Sequence, residues 1–171
     1  RIGDALETLT RAAESQADAP AIRLERGRGF ILIRKFDLAV RELRKADEAL
    51  PEAHCDIGFA FYLLADYTQA QQEYAKCASR GLFGALASRR SGTAPAAALR
   101  PASERSQDKK KDLPAAYLDG LSKLLAKDVT AARDVLKPLV EKNKDRWMEP
   151  VYIAAEAEYA RIALTGEKKR Q

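Results

Sequence analysis

Apolar side chains recur along this chain at helical spacing, without the strict alternation of a half-buried strand. Between Pro51 and Ser79, Ile57, Phe61 and Leu64 fall at i, i+4 and i+7, and Ala70, Tyr74 and Cys77 form a second stripe. Each stripe is one face of a 3.6-residue period. Ala65, Asp66 and Tyr67 lie between the two, where the chain must reverse. The stretch therefore predicts two amphipathic helices joined by a tight turn. Gly58 lies inside the first of them, where a glycine costs about 1 kcal/mol relative to alanine. A close approach of the partner helix is the physical reason to keep it.

The same spacing occurs elsewhere. From Gly58 the apolar or small positions are Phe61, Ala70, Tyr74 and Cys77, at offsets +3, +12, +16 and +19. Gly27 is followed at those offsets by Phe30, Ala39, Leu43 and Ala46. Gly120 is followed by Ala132, Leu136 and Leu139, with Lys123 breaking the pattern at +3. A recurring helical pair of this kind is an internal repeat. The pattern resembles the tetratricopeptide repeat, whose consensus places Gly, Tyr, Ala, Phe and Ala at these relative positions and often closes with proline. Pro51 stands where that proline belongs, and the segment IGFAFYLLADYTQA carries most of one repeat. The resemblance covers about half of the chain. Gly27 and Gly58 are 31 residues apart, against a family period of about 34, so the loop between those repeats is expected to be short. Arg26 and Asp119 stand before their glycines where an apolar residue is usual.

The resemblance implies an all-α fold, a right-handed superhelical solenoid of antiparallel helix pairs with about three to four repeats and a long insertion in the middle. Residues 1–90 form the N-terminal helices, 91–112 a polar and basic insertion or linker, and 113–171 a C-terminal pair with a capping helix and basic tail. In chain order, Ala5, Leu9 and Ala12 copy a second repeat helix, so the chain reads as beginning within a repeat. Opening on Arg1 rather than methionine, it reads as an excised or processed piece, and a missing leader carries no information. Asp18 is the expected N-cap and Pro20 the first-turn residue of the next helix. Phe36 to Leu50 follows as its partner. Gly81 to Arg90 suits one short helix laying Leu82, Phe83 and Leu86 on the preceding repeat. Ser91 to Asp112 is rich in Ser, Gly, Pro, Ala and charge. Its spacing cannot line a core. Leu113 to Ala126 pairs with Val129 to Lys142, in which Pro138 should kink or disturb the helix. The last helix is expected over Val151 to Leu164, with Tyr152, Ala155, Tyr159 and Ile162 inward, Glu156, Glu158 and Arg161 outward, and Gly166 as the stop.

Composition narrows the function. With 46% hydrophobic and 32% charged residues, the 171-residue chain can bury one continuous core. Thirty basic and twenty-five acidic side chains are intermingled, which describes a solvated helical surface. The basic clusters Arg89-Arg90, Lys109 to Lys111 and Lys168 to Arg170 lie in loop and tail without interleaved aromatics, so no nucleic-acid partner is expected. No apolar run reaches the ~18 residues of a membrane span. The compartment stays open, with the cytoplasm slightly favoured. Two cysteines do not make a disulfide framework. Cys77 falls on a repeat core position and reads as a small buried hydrophobe. The alternative is a bridge to Cys55, near the start of the preceding helix, which an antiparallel partner would bring close.

Candidate chemistry is sparse. His54 is the one histidine, and beside Cys55 it points about 100° away on a helix; it reads as a surface or groove-edge side chain. Glu42, Arg44, Lys45, Asp47 and Glu48 read as surface pairs at i, i+3 and i+4. No catalytic residue, cofactor or metal site is expected. What the resemblance implies is a concave groove lined by the first helix of each repeat. Carried over by position, the first repeat presents Leu24, Arg28, Ile31 and Leu32. The central repeat presents Cys55, Phe59, Tyr62 and Leu63, with Ile57 left to the core. The last presents Tyr117, Leu121, Leu124 and Leu125. Chaperone-binding members of the family clamp a terminal carboxylate with Lys and Asn at such places; this chain has no asparagine there. An apolar groove suits an amphipathic helix or an extended apolar peptide. The expectation is a non-catalytic adaptor for a protein or peptide partner, or alternatively a self-associating scaffold building a homo-oligomer or larger assembly. In either case the apolar face needs a cover, from the chain itself or a second copy.

Overall fold

The computed structural model describes residues 19–78, 81–93 and 113–168, together with six positions before Ala12, and is helical without a strand among the described residues. Gly3, Asp4, Glu7, Thr8, Thr10 and Arg11 are helical. Eight α-helices follow among the described residues: α1 (Pro20–Leu32), α2 (Phe36–Leu43), α3 (Ala53–Leu63), α4 (Tyr67–Lys76), α5 (Gly81–Arg90), α6 (Leu113–Leu125), α7 (Val129–Lys142) and α8 (Pro150–Lys168). They belong to two compact units, residues 1–99 and 100–171. Most of the expected insertion, residues 94–112, lies outside the described residues, as does Asp18.

Within each unit every helix packs on the next. Helices two apart also touch: α1 with α3, α3 with α5, and α6 with α8. Three helical hairpins result, α1–α2, α3–α4 and α6–α7, and they are built to one plan. The residues at +12, +16 and +19 from Gly27, Gly58 and Gly120 are all buried. The glycine itself receives the +16 side chain. A β-carbon on Gly27 would lie 2.5 Å from Leu43 Cγ, on Gly58 3.0 Å from the Tyr74 ring, and on Gly120 2.7 Å from Leu136 Cδ2. Each glycine is therefore a socket for one particular side chain of the partner helix.

The three turns are also alike. Arg34, Ala65 and Lys127, each seven residues after the glycine, take positive φ of 64°, 64° and 62°. The amide of the following residue bonds back to the carbonyl of Phe30, Phe61 or Lys123, and the left-handed residue's own amide to that of Ile31, Tyr62 or Leu124. This is the Schellman pattern, which satisfies the carbonyls left orphaned at a helix end. Asp66 and Asp128 then cap α4 and α7, accepting from the amides of Gln69 (3.1 Å) and Ala131 (2.9 Å). Lys35, in the same place before α2, has no acceptor to offer, and Asp37 supplies the first-turn negative charge instead.

Several expected boundaries shift. Pro20 does open α1, but the N-cap is Ala19, without a side-chain bond. Helix α2 ends at Leu43 and gives way to turns, so the second helix of the first repeat is shorter than the pattern suggested. Pro138 lies inside α7, which continues through it as one element. Helix α8 runs past Gly166 to Lys168; one glycine without a following turn residue is a tolerable loss of propensity, not a stop. Tyr152, Ala155 and Ile162 are buried as expected, whereas Glu158 is buried too, beside Arg161 at 3.0 Å. Phe30 and Phe61, at +3, are only half buried. The guanidinium groups of Arg26 and Arg44 lie over their rings at 5.6 and 5.8 Å, so an arginine closes off what the core does not.

Candidate interaction face and the paired carboxylates

The residues expected to line a groove divide by exposure. Leu24 and Ile31 of α1, Phe59, Tyr62 and Leu63 of α3, and Tyr117 and Leu121 of α6 are buried within their own units. Arg28, Leu32, Cys55 and Leu124 are half buried, and Leu125 is 37% exposed. In the central repeat the cover is α5. Phe83 sets its ring 4.6 Å from Phe59 and 5.3 Å from Tyr62, centroid to centroid. Tyr62 also meets Tyr67 edge-on at 5.4 Å, and Arg90 at the end of α5 lies 4.1 Å over Tyr67. Leu86 on the same helix is fully buried. The expected packing of Gly81 to Arg90 on the preceding repeat is thus present, and it fills the apolar face of α3 from within the chain.

Arg28, the cation expected in the groove, is already engaged. Its Nε donates to Asp56 Oδ2 at 2.8 Å, tying α1 to α3, and its Nη1 donates to Glu25 at 2.6 Å. Burial pushes the Asp56 carboxyl up; the Arg28 bond pulls against this, while Glu25 and Glu52 add to it, and the net shift is upward. Burial works against the Arg28 charge, but Asp56 and Glu25 outweigh it and raise its basicity.

Sequence reasoning missed the main electrostatic feature. Glu42 and Glu73 are not surface carboxylates; they are 6% and 2% exposed. Both stand at +15 from their glycine. Glu42 Oε2 accepts from Arg23 at 2.9 Å and lies 3.3 Å from Arg26, while its Oε1 accepts from Lys45 at 3.0 Å. Glu73 Oε1 accepts from Arg44 at 2.7 Å, with Lys76 at 3.4 Å, and its Oε2 lies 2.8 Å from His54 Nδ1. Arg23 and His54 occupy the same repeat position, four before the glycine, and Lys45 and Lys76 both stand at +18. For each carboxyl, burial pushes the pKa up, but the surrounding bonds and positive charges outweigh it and hold the group below the ordinary carboxylate range. An ionised Glu73 only accepts, so His54 Nδ1 carries the proton in this contact. His54 is therefore a strut between α3 and α4, not a groove-edge side chain. In the third hairpin the same two places hold Ala116 and Val135, an apolar pair where the others use charge. The signal was legible: Glu at +15 with Lys three residues later, twice.

The cysteines differ from the first expectation. Cys55 and Cys77 form a disulfide with their Cα atoms 5.1 Å apart. It joins the first turn of α3 to the residue that ends α4. Cys77 is buried as expected, but as half of a bond, and Cys55 has no free thiol to offer a partner. No group of three or more metal-binding side chains gathers among the described residues, and no helix there is long and apolar enough to cross a membrane. Tyr74, packed on Gly58, has its hydroxyl pushed well up, first by burial and then by Tyr62 and Asp56. Compared with known proteins, the chain matches no family model and no curated protein.

Proposed function

We infer that this chain is a tetratricopeptide-like helical-repeat module whose work is to hold another protein, without catalysis. The observation that carries the reading is the threefold hairpin: the same glycine socket, the same left-handed turn residue and the same buried offsets in α1–α2, α3–α4 and α6–α7. Hairpins that touch both the next helix and the next but one stack into a solenoid, and solenoids present extended binding surfaces. The ionisable residues on which chemistry would depend are spent on holding helices together, His54 on Glu73 and Arg28 on Asp56. The residues left to a partner are, in the first unit, Leu32 with Arg28 four residues before it and, separately in the other unit, Leu124 and Leu125. Either apolar patch, edged by charge, fits an amphipathic peptide.

The test is selection of a displayed peptide library on the immobilised protein, repeated with Leu32→Glu and Leu125→Glu. The adaptor reading expects one enriched amphipathic sequence class, with affinity reduced at least ~10-fold by one of the substitutions, and an unchanged thermal melt. No enrichment from a protein whose mass is independent of concentration would remove the reading. A second reading is favoured by Leu125 and by Val129, which is 47% exposed at the turn between α6 and α7. There the chain is a self-associating scaffold, and the mass rises with concentration and falls to monomer on Leu125→Glu.

A further inference from the structure

We propose that the Cys55–Cys77 disulfide is a redox clamp that keeps α5 closed over the apolar face of α3. The bond stands where the sister hairpins place two buried apolar side chains. Cys55 and Cys77 stand three before and nineteen after Gly58. The same two places hold Leu24 and Ala46 around Gly27, and Tyr117 and Leu139 around Gly120, all buried. Two of the three hairpins therefore close at these places without a covalent bond, the first with Arg23 and Lys45 on Glu42 nearby. The hairpin does not need a covalent bond to form.

The helix that follows the α3–α4 hairpin is α5, which packs on both α3 and α4. The backbone leaves α4 at Cys77 with an extended ψ of 135°. Four residues later α5 begins at Gly81, whose φ of +47° turns the chain back. Phe83 then reaches Phe59 and Tyr62. Cys77 thus stands four residues before the cover, and its bond runs to the helix that the cover protects. The far end of the hairpin is held separately, by the Schellman turn at Ala65 and the Asp66 cap. Beside the clamp, His54, Arg44 and Lys76 meet on Glu73 and hold α4 to its neighbours, while α5 meets α4 through Arg90 over Tyr67 at its far end.

Reduction changes this locally. Thiol–disulfide exchange with an external dithiol breaks the Sγ–Sγ bond, adds one electron and one proton to each Sγ, and leaves the dithiol as a cyclic disulfide. The two thiols remain as small apolar groups, but they fill less space than the Leu–Ala or Tyr–Leu pairs at the equivalent places. The end of α4, from which the chain enters α5, then loses its covalent tie, and Phe59 and Tyr62 are uncovered on opening. These are central groove positions implied by the family resemblance, so the choice of ligand for the opened face rests on the adaptor reading, while the clamp does not. Disulfides persist in oxidising compartments, where the closed form is the resting state.

Hydrogen exchange of the intact protein, followed by mass spectrometry with and without dithiothreitol, tests the clamp with no partner present. Reduction is expected to accelerate the amides of residues 81–90 at least ~10-fold, with residues 20–43 unchanged. Cys55→Ser/Cys77→Ser is expected to match the reduced protein in either condition. Three results would overturn the proposal: unchanged exchange over 81–90, equal acceleration across 20–76, or two thiols alkylated without prior reduction. Failure of peptide capture with the clamp result intact would count against the adaptor reading alone.

Discussion

Substituting alanine at the three repeat glycines should give a graded series set by the side chain each one faces. At Gly27 a new β-carbon would meet Leu43 Cγ at 2.5 Å and Cδ2 at 2.6 Å, with the Ala39 carbonyl oxygen at 3.4 Å. Leu43 is fully buried and has no room to withdraw. Overpacking of this kind costs about 1–3 kcal/mol, and the better helix propensity of alanine returns about 1 kcal/mol. With both contacts far inside van der Waals distance, the net is a loss of ~1–2 kcal/mol. Gly120→Ala should behave alike, against Leu136 at 2.7 and 2.8 Å. Gly58 faces the flat Tyr74 ring at 3.0–3.1 Å, which a shift of a few tenths of an ångström relieves. There the two effects cancel to within ~0.5 kcal/mol. Urea unfolding of the three variants, read by circular dichroism, measures the series. Leu43→Ala alone should cost ~2–5 kcal/mol, but combined with Gly27→Ala the sum should fall short by ~1 kcal/mol, because the added methyl enters the space vacated. Equal losses at all three glycines, or additivity at Gly27 and Leu43, would refute the socket.

The turns make the opposite prediction: Ala65→Gly and Lys127→Gly should each stabilise by ~0.5–1 kcal/mol, since a left-handed residue with a β-carbon costs about 1–2 kcal/mol and glycine gives back part of that as chain entropy. A lower urea midpoint for either variant would contradict the φ of 64° and 62°. Asp66→Ala and Asp128→Ala should each cost ~1 kcal/mol through loss of the N-cap bond, whereas Lys35→Asp should gain a cap and a few tenths of a kcal/mol. Acid should destabilise the first unit through Glu42 and Glu73. Their folded pKa values lie below the ordinary value of 4.5, so their contribution is complete above that pH and is lost as pH falls through the lower folded value. Glu73→Gln should cost ~1–3 kcal/mol at pH 7 and flatten the acid limb of a stability–pH curve; an unchanged limb would show that the pair carries no linked protons.

Much of the fold could be read from offsets alone. Gly58, Ala70, Tyr74 and Cys77 announce a hairpin because a helix presents every third or fourth residue to its neighbour, and the glycine marks where that neighbour comes closest. Helix boundaries were less legible: α2 stops at Leu43 although the apolar pattern continues to Ala46, because a turn also buries side chains. The candidate face was legible as a set of positions and not as a surface. Phe59 and Tyr62 are apolar whether they await a partner or receive Phe83, and local spacing does not tell these apart. Glu42 and His54 were misassigned, and Glu73 passed over, for a related reason. Pairing at i, i+3 is visible along one helix, but the bonds from Arg23, Arg44 and His54 cross between helices. Periodicity, which is a property of each segment, determined that this chain is helical, repeated and socketed at three glycines. Which charges are buried, that Cys55 joins Cys77, and that α5 covers α3 were decided only when separate segments met, because burial and bond distance belong to pairs of elements and have no period along the chain.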